Sequence, residues 1–175
     1  IVDDVGAGYK ATKYLLDTGC KKIAIITTPE HVTVGLHREQ GYERALKEAG
    51  YVINRNLIIE VDESLNIKQQ VEQLFDHDID AVFAVNEIYA ALAIRIAKEK
   101  GFSVPEKLSV VGFTDGLISE YSSPSITTVV QHGFLMGKQA AEMLINRIEN
   151  EESNTSFQTK VITSNLKIRE STKTE

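Results

Sequence analysis

The stretch Gly6-Ala7-Gly8-Tyr9-Lys10-Ala11 has the G-x-G-x-x-A spacing of a dinucleotide-binding loop. In such a loop, backbone N–H groups at a helix N-terminus hold a pyrophosphate, and a later acidic residue meets a ribose. Glu30 stands near that place, after the next apolar stretch. The loop also needs a full strand directly before it, and only Ile1-Val2 precedes it. Tight turning or close packing is the competing use of these glycines. A nicotinamide-dependent enzyme is the alternative that this motif raises.

Other catalytic constellations are thin. There is no G-x-S-x-G elbow and no phosphate loop. His31, His37, His77 and His132 do not stand at metal-ligand spacing from one another or from Cys20, so no metal or other cofactor is expected. Cys20 reads as a small, partly buried hydrophobe. Asp3-Asp4 has the residue types of a general acid and base, but adjacent carboxylates at a strand end also serve as solvated turn formers. Four polar residues stand where binding chemistry is expected. Arg38 opens a helix beyond a strand's end, where its fork suits two hydroxyls or a carboxylate; a solvated helix face is the competing role. Asn86 is placed to bind a ligand or to cap a helix. Asp115 precedes Gly116 and also suits a turn. Gln131 follows a strand that leaves the body of the domain.

The elements that must position these residues alternate between two periods. Residues 22–27, 57–59, 81–85, 108–113 and 126–130 are short apolar runs and read as strands. Between them, 36–49 carries Tyr42, Ala45, Leu46 and Ala49 at helical spacing, with Gly50 as a stop. Ser64 is placed to cap a helix bearing Ile67, Val71, Leu74 and Phe75, and Ile88, Leu92 and Ile96 mark another that Gly101 closes. Apolar strands separated by amphipathic helices predict a doubly wound parallel α/β sheet, covered on both faces. Ligands of such sheets sit beyond the carboxyl ends of the strands. That rule points to Thr28, Asn86 and Thr114-Asp115. Helices over 6–18 and 134–148 fall outside this unit and are assigned to a second lobe. Residues 149–156 read as an exposed loop and 157–169 as two short strands.

Composition narrows the function. The 175 residues carry 42% hydrophobic and 25% charged side chains, with a net charge of -6. The longest basic run is Lys21-Lys22. Phosphate neutralisation dominates nucleic-acid affinity, so this segment is not expected to bind DNA by itself. One cysteine makes no internal disulfide and suits a reducing compartment. No apolar run approaches a membrane span. The chain opens on Ile1 rather than Met and reads as part of a longer protein.

Several stretches, in order, carry a family resemblance. They are Asp3-x-x-Gly6-Ala7-x-x-x-Ala11, Leu15-x-x-x-Gly19-Cys20-Lys21-Lys22-Ile23-Ala24, and Arg38-x-x-Gly41-Tyr42-x-x-Ala45-Leu46-x-x-Ala49-Gly50. Asp80-Ala81-Val82-Phe83-Ala84-x-Asn86-Glu87 and Val104-Pro105-x-x-Leu108-Ser109-Val110-Val111-Gly112-Phe113-x-Asp115 follow. Last come Pro124-x-Ile126-Thr127-Thr128-Val129-x-Gln131, Met136-Gly137-x-x-Ala140 and Leu166-x-x-Arg169-x-Ser171-Thr172. Together they resemble the lactose-repressor (LacI/GalR) family over essentially the whole chain.

The resemblance implies a two-lobed, periplasmic-binding-protein-like (type I) body behind a helix-turn-helix DNA-binding domain absent from this segment. A small sugar-like effector would bind between the lobes. Operator DNA, a homodimer and a cytoplasmic location follow from the same resemblance, and a periplasmic sugar-binding transport receptor is the alternative of the same fold. By this reading 1–18 is a fragment of the N-terminal lobe and 19–130 the complete C-terminal lobe. Residues 131–150 return to the N-terminal lobe, and 151–175 supply the final strands and tail. Arg38 and Asn86 match the effector-contacting Arg and Asn, Gln131 matches a polar crossover residue, and Asp3 lies near the cleft floor. Ile118 and Tyr121 are the expected dimer contacts. Two positions depart from the family pattern. Thr114 stands where a carboxylate is common, and Glu63 where many members place an aromatic ring. Both changes argue against a simple hexose, and a carboxylate at Glu63 suits a different hydroxyl pattern or a cationic group.

Overall fold

The computed structural model describes residues 1–149 and 157–174. Its sheet is built from the apolar runs. Strand β1 (Ile23–Thr27) is buried at every position, as are β3 (Ala81–Ala84) and β4 (Ser109–Phe113). β2 (Ile58–Glu60) is a half-exposed edge, and β5 (Thr127–Val130) is nearly buried. Their β-branched side chains pack well on a pleated surface covered on both sides. The order is β2-β1-β3-β4-β5-β6, parallel until the last pair. β6 (Asn165–Lys167) runs antiparallel to β5, so the sheet carries one antiparallel edge. Only this one strand forms among residues 157–169, where two were expected; the other segment makes a single bridge, Ile162 to Val2.

Among the described residues six α-helices flank the sheet: α1 (Asp4–Asp17), α2 (Thr33–Glu48), α3 (Ile67–Glu72), α4 (Glu87–Glu99), α5 (Leu117–Tyr121) and α6 (Gly133–Glu149). Side chains alternate along β4 and separate the two helical layers. A Cβ on Gly112 would lie 3.1 Å from the Ala90 methyl of α4. The neighbouring Phe113 points the other way and lies under Arg38 of α2. The sheet is therefore doubly wound, and its order reverses between β1 and β3.

The first helix corrects the expected lobe boundary. Residues 1–18 were assigned to the other lobe because the helix precedes the first strand. In the structure Ala7, Ala11 and Leu15 of α1 are wholly buried in the same core as β1, β3 and β4. A helix can cover a sheet face without a strand before it. Only Ile1-Val2 leaves this core: Val2 bridges Ile162, and the Ile1 amino group donates to the Lys160 carbonyl at 2.9 Å.

The glycines of the dinucleotide-like motif have local structural uses: a Cβ on Gly6 would stand 2.1 Å from the Asp3 carboxylate that caps α1, and Gly8 serves the packing of α1 on α2. Gly6 and Gly8 lie inside α1, with no strand directly before it. A Cβ on Gly8 would stand 2.2 Å from the Arg38 carbonyl oxygen, and one on Gly41 2.2 Å from that of Val5. Bare Cα atoms at both positions let α1 and α2 cross with backbones in contact.

Other differences are local. Asn66, not Ser64, caps α3 through Gln69 N–H; Ser64 is instead held by Asp62. The expected continuation through Leu74 and Phe75 is a separate 3₁₀ turn, Gln73–Asp76. α5 carries no periodic signal and is fixed from outside, by Glu87 accepting from Ser119 N–H and Oγ–H. The loop expected over 149–156 lies, from 150 on, outside the described residues.

Candidate functional site

The carboxyl ends of the strands gather a connected arc of polar side chains. Its centre is Arg38, in the second turn of α2 and only 6% exposed. Its Nε donates to Asp4 Oδ1 at 2.8 Å, and Nη2 lies 2.8 Å from the same oxygen. Nη1 donates to the Val85 carbonyl at 2.6 Å. The guanidinium carbon sits 3.4 Å from the centroid of the Phe113 ring. Burial pushes the Arg38 pKa down, and the Asp4 carboxylate opposes that shift. A guanidinium has five N–H donors. These contacts leave at least one on each terminal nitrogen without a partner among the described residues. The group is thus locked in plane with donors to spare, which is the preorganisation that oxygen recognition needs.

Asn86 continues the arc. Oδ1 accepts from Tyr89 N–H at 2.8 Å and caps α4, and the same side-chain amide also bonds to the Tyr89 hydroxyl. Tyr89, one turn on, is 2% exposed and donates its hydroxyl to Glu63 Oε1 at 3.0 Å. Desolvation, with the Glu63 hydrogen bond behind it, pushes the Tyr89 pKa up to about 12, so the hydroxyl remains a donor. Thr28, His31, Val61, Asp62, Glu63 and Tyr89 line a cleft of about 450 Å³. The Thr28 hydroxyl is buried and without a hydrogen-bond partner.

On the other side of Arg38, Thr114 follows Phe113. Its Oγ1 donates to Gln131 Oε1 at 3.1 Å, joining the ends of β4 and β5. Thr114 has φ +80°, a conformation that a β-branched residue rarely adopts. The arc thus runs Gln131, Thr114, Arg38, Asn86, Tyr89, Glu63, crossing the reversal between β1 and β3.

One expected residue is misplaced. Asp3 caps α1 by accepting from Gly6 N–H at 2.8 Å and is exposed. Its neighbour Asp4 is the carboxylate that reaches Arg38. Asp115 does not join the arc either; it pairs with Arg169 and Lys167 on the β6 side. Burial raises the Asp115 pKa, but those two cations outweigh it and hold the carboxyl below its ordinary value. Ile118 (42% exposed) and Tyr121 (76%) lie on the surface of α5. Sequence reasoning missed Phe113 and Tyr89, considered Asp4 only beside Asp3 as an acid–base pair, and placed Thr28 by strand-end position alone. Tyr89 was findable, three residues after a capping Asn. Phe113 was findable too, as the last buried residue before the strand end.

The arrangement can hold a polar small molecule, with donors at Arg38 and Asn86 and acceptors at Glu63 and Gln131. Among the described residues no cluster of three or more metal-binding side chains forms, and no helix is long and apolar enough to cross a membrane.

The periplasmic binding protein-like domain family matches residues 12–172. The HTH-type transcriptional regulator CelR of Thermobifida fusca is 35% identical over 153 residues, 86% of this chain and 45% of that protein. The HTH-type transcriptional repressor PurR of Haemophilus influenzae is 33% identical over 183 residues, 99% of this chain and 53% of that protein. The chain spans about half the length of these relatives. A solved complex of the regulator CelR with cellobiose superimposes with a TM-score of 0.89 at 35% identity, over 97% of this chain and 52% of its own. A LacI-family regulator from Enterococcus faecium with bound ribose gives 0.86 at 28% identity, over 98% and 63%.

Proposed function

Since the chain belongs to the periplasmic binding protein-like family, in the LacI branch of transcription regulators, we propose that it is the effector-sensing lobe of such a regulator. The observation that carries this reading is Arg38: buried, braced by Asp4, Val85 and Phe113, and still holding unused donors beside Asn86. A merely structural arginine would spend its whole fork on the protein. The ligand class is a small carbohydrate, in line with the cellobiose and ribose named for similar structures.

In this reading Arg38 and Asn86 donate to ligand oxygens. Thr114 and Gln131 supply a hydroxyl and a carbonyl at the crossover, and Glu63 accepts at the outer end. Asp4 positions Arg38 and takes the place first given to Asp3. The ligand closes a second lobe onto this one, and closure shifts DNA binding by a separate helix-turn-helix domain. The complete protein acts in the cytoplasm as a dimer, with Ile118 and Tyr121 in the contact between subunits. The function needs no enzymatic step, and the glycines behind the enzyme alternative have structural uses, Gly6 against the capping Asp3 and Gly8 in the α1–α2 crossing.

The test is calorimetry on the complete protein with a panel of neutral and amino-bearing mono- and disaccharides, repeated on Arg38→Ala. Losing a charged hydrogen-bonding group costs about 1.5–3 kcal/mol, roughly ten- to a hundredfold in affinity. Unchanged affinity in Arg38→Ala would remove the reading.

A further inference from the structure

The outer half of the cleft has a charge that a neutral sugar does not match. Asp62 and Glu63 both line it, and neither forms an ion pair with a Lys or Arg among the described residues. Asp62 Oδ1 accepts from Ser64 N–H at 2.9 Å and from its hydroxyl at 2.6 Å. Those bonds lower the Asp62 pKa and keep it charged. His31, on the β1–α2 loop, is the only lining residue able to carry positive charge. The Arg38 charge is no counterweight, since Asp4 neutralises it.

Glu63 is the carboxylate built into the site. Asp62 is turned onto its own loop. Glu63 is tied by the buried Tyr89 hydroxyl to the first turn of α4, which Asn86 caps. That bond engages Oε1 and leaves Oε2 as an acceptor. Thr28 lines the same cleft, with its partnerless hydroxyl buried against Gly35 of α2. A volume of about 450 Å³ accommodates a sugar ring. The unused acceptors here want a group that only donates. An ammonium has three donors and no acceptor. A hydroxyl donates once and leaves the carboxylate charge uncompensated.

We propose that Glu63, positioned by Tyr89, makes this cleft selective for a ligand bearing a protonated amine, with a small amino sugar as the class that fits both ends. Its amine meets Glu63, and its ring and hydroxyl oxygens meet Arg38 and Asn86. The inference rests on the cleft reading above and adds the charge of the ligand to it.

A matched pair of probes tests it: cellobiose and its counterpart with an amine in place of the 2-hydroxyl on each ring, titrated by calorimetry into the complete protein at mildly acidic pH. A charge-assisted hydrogen bond exceeds a neutral one by about 1–1.5 kcal/mol, so the diamino sugar should bind roughly tenfold tighter. In Glu63→Gln the preference should shrink to about twofold, and Glu63→Asp should keep part of it. Tyr89→Phe should lower the ratio between the two sugars, a quantity that a purely structural tyrosine would not move. Equal or tighter binding of cellobiose overturns the proposal, as does a preference that survives Glu63→Gln or a failure of both sugars to bind. The cleft reading is judged separately. If Arg38→Ala weakens both sugars while Glu63→Gln changes no preference, the cleft stands and the Glu63 assignment falls.

Discussion

Replacing Asp4 by alanine strands the most enclosed charge of the site. The Arg38 and Asp4 side chains are 7% and 14% exposed, and two guanidinium nitrogens lie 2.8 Å from one carboxylate oxygen. Removing one partner of a buried pair typically costs about 3–5 kcal/mol, because the other charge stays desolvated. Arg38 retains two supports after the change, the Val85 carbonyl at 2.6 Å and the Phe113 face at 3.4 Å. Its outer edge also keeps donors for water. The lower end is therefore expected, about 2–3 kcal/mol for Asp4→Ala. The double variant Asp4→Ala with Arg38→Met removes the stranded charge together with its partner. It should return to within about 1.5 kcal/mol of the parent, since exchanging both partners for apolar groups is often near neutral. Urea unfolding of the complete protein at one fixed concentration reads all four corners of the cycle. A loss below about 0.5 kcal/mol in Asp4→Ala, or a double variant as unstable as the sum of the singles, would refute the reasoning. The double variant should also be folded and blind to carbohydrate, which separates the binding role of Arg38 from its structural one.

Two further outcomes follow from the same structure. Gly41→Ala places a methyl 2.2 Å from the Val5 carbonyl oxygen and 2.5 Å from Tyr9 N, both backbone atoms, so α1 and α2 must separate. The expected loss in urea unfolding is about 2–3 kcal/mol, well above that of Gly112→Ala, whose new methyl meets only side-chain carbons at 3.1–3.5 Å; equal losses would refute the packing role of Gly41, and saturable NADH binding by the parent would return Gly6 and Gly8 to the nucleotide reading. Asp115 has a folded pKa below its ordinary 3.8, so its contribution to stability is complete above that value and is lost as pH falls through the lower folded pKa. Asp115→Asn should therefore be less stable than the parent at neutral pH and converge with it in strong acid, a trend that urea midpoints measured across the acid range would reverse if Arg169 and Lys167 were not its partners.

How much of this was legible in the sequence depends on the range of the interaction. The strands were readable because β1, β3 and β4 are buried on both faces and must be apolar throughout. Asn86 and Thr114 were readable because topology fixes where strand ends lead, whatever the ligand. Asp3 and Asp4 were not separable, since which of two adjacent carboxylates turns inward depends on the α1–α2 crossing angle. That angle is set by Gly8 and Gly41, which lie 33 positions apart in a sequence that shows only their smallness. The place of α1 failed for a similar reason: Ala7, Ala11 and Leu15 announce a buried face without saying against what. Tyr89 was masked by its own helix, where an aromatic in an apolar stretch looks like core. It is core at 2% exposure, and only its hydroxyl emerges to hold Glu63.

The arc and the exits of the chain share residues, and this gives the proposed function a mechanical basis. Gln131 accepts from Thr114 and is followed at once by His132 (φ +55°) and then α6. α6 leaves the core: none of its residues is buried, and Phe134 (89%), Leu144 (60%) and Ile148 (65%) are exposed. Surfaces of this kind mark a site of contact. At the other exit, the bridge from Val2 to Ile162 stands two residues before Asp4, which braces Arg38. In the proposed reading, a ligand held by Arg38 and Thr114 bears on two of the places where the backbone passes out of the lobe. Within the lobe β1, β3 and β4, which lie between those exits, are wholly buried and close-packed, and such a core resists graded deformation. Ligand energy is then expressed at the crossovers rather than spread through the sheet. A ligand shifts such an equilibrium only by its differential affinity for the two arrangements. In the proposed reading, Thr114 and Asp4, adjoining the exits, are where that difference arises.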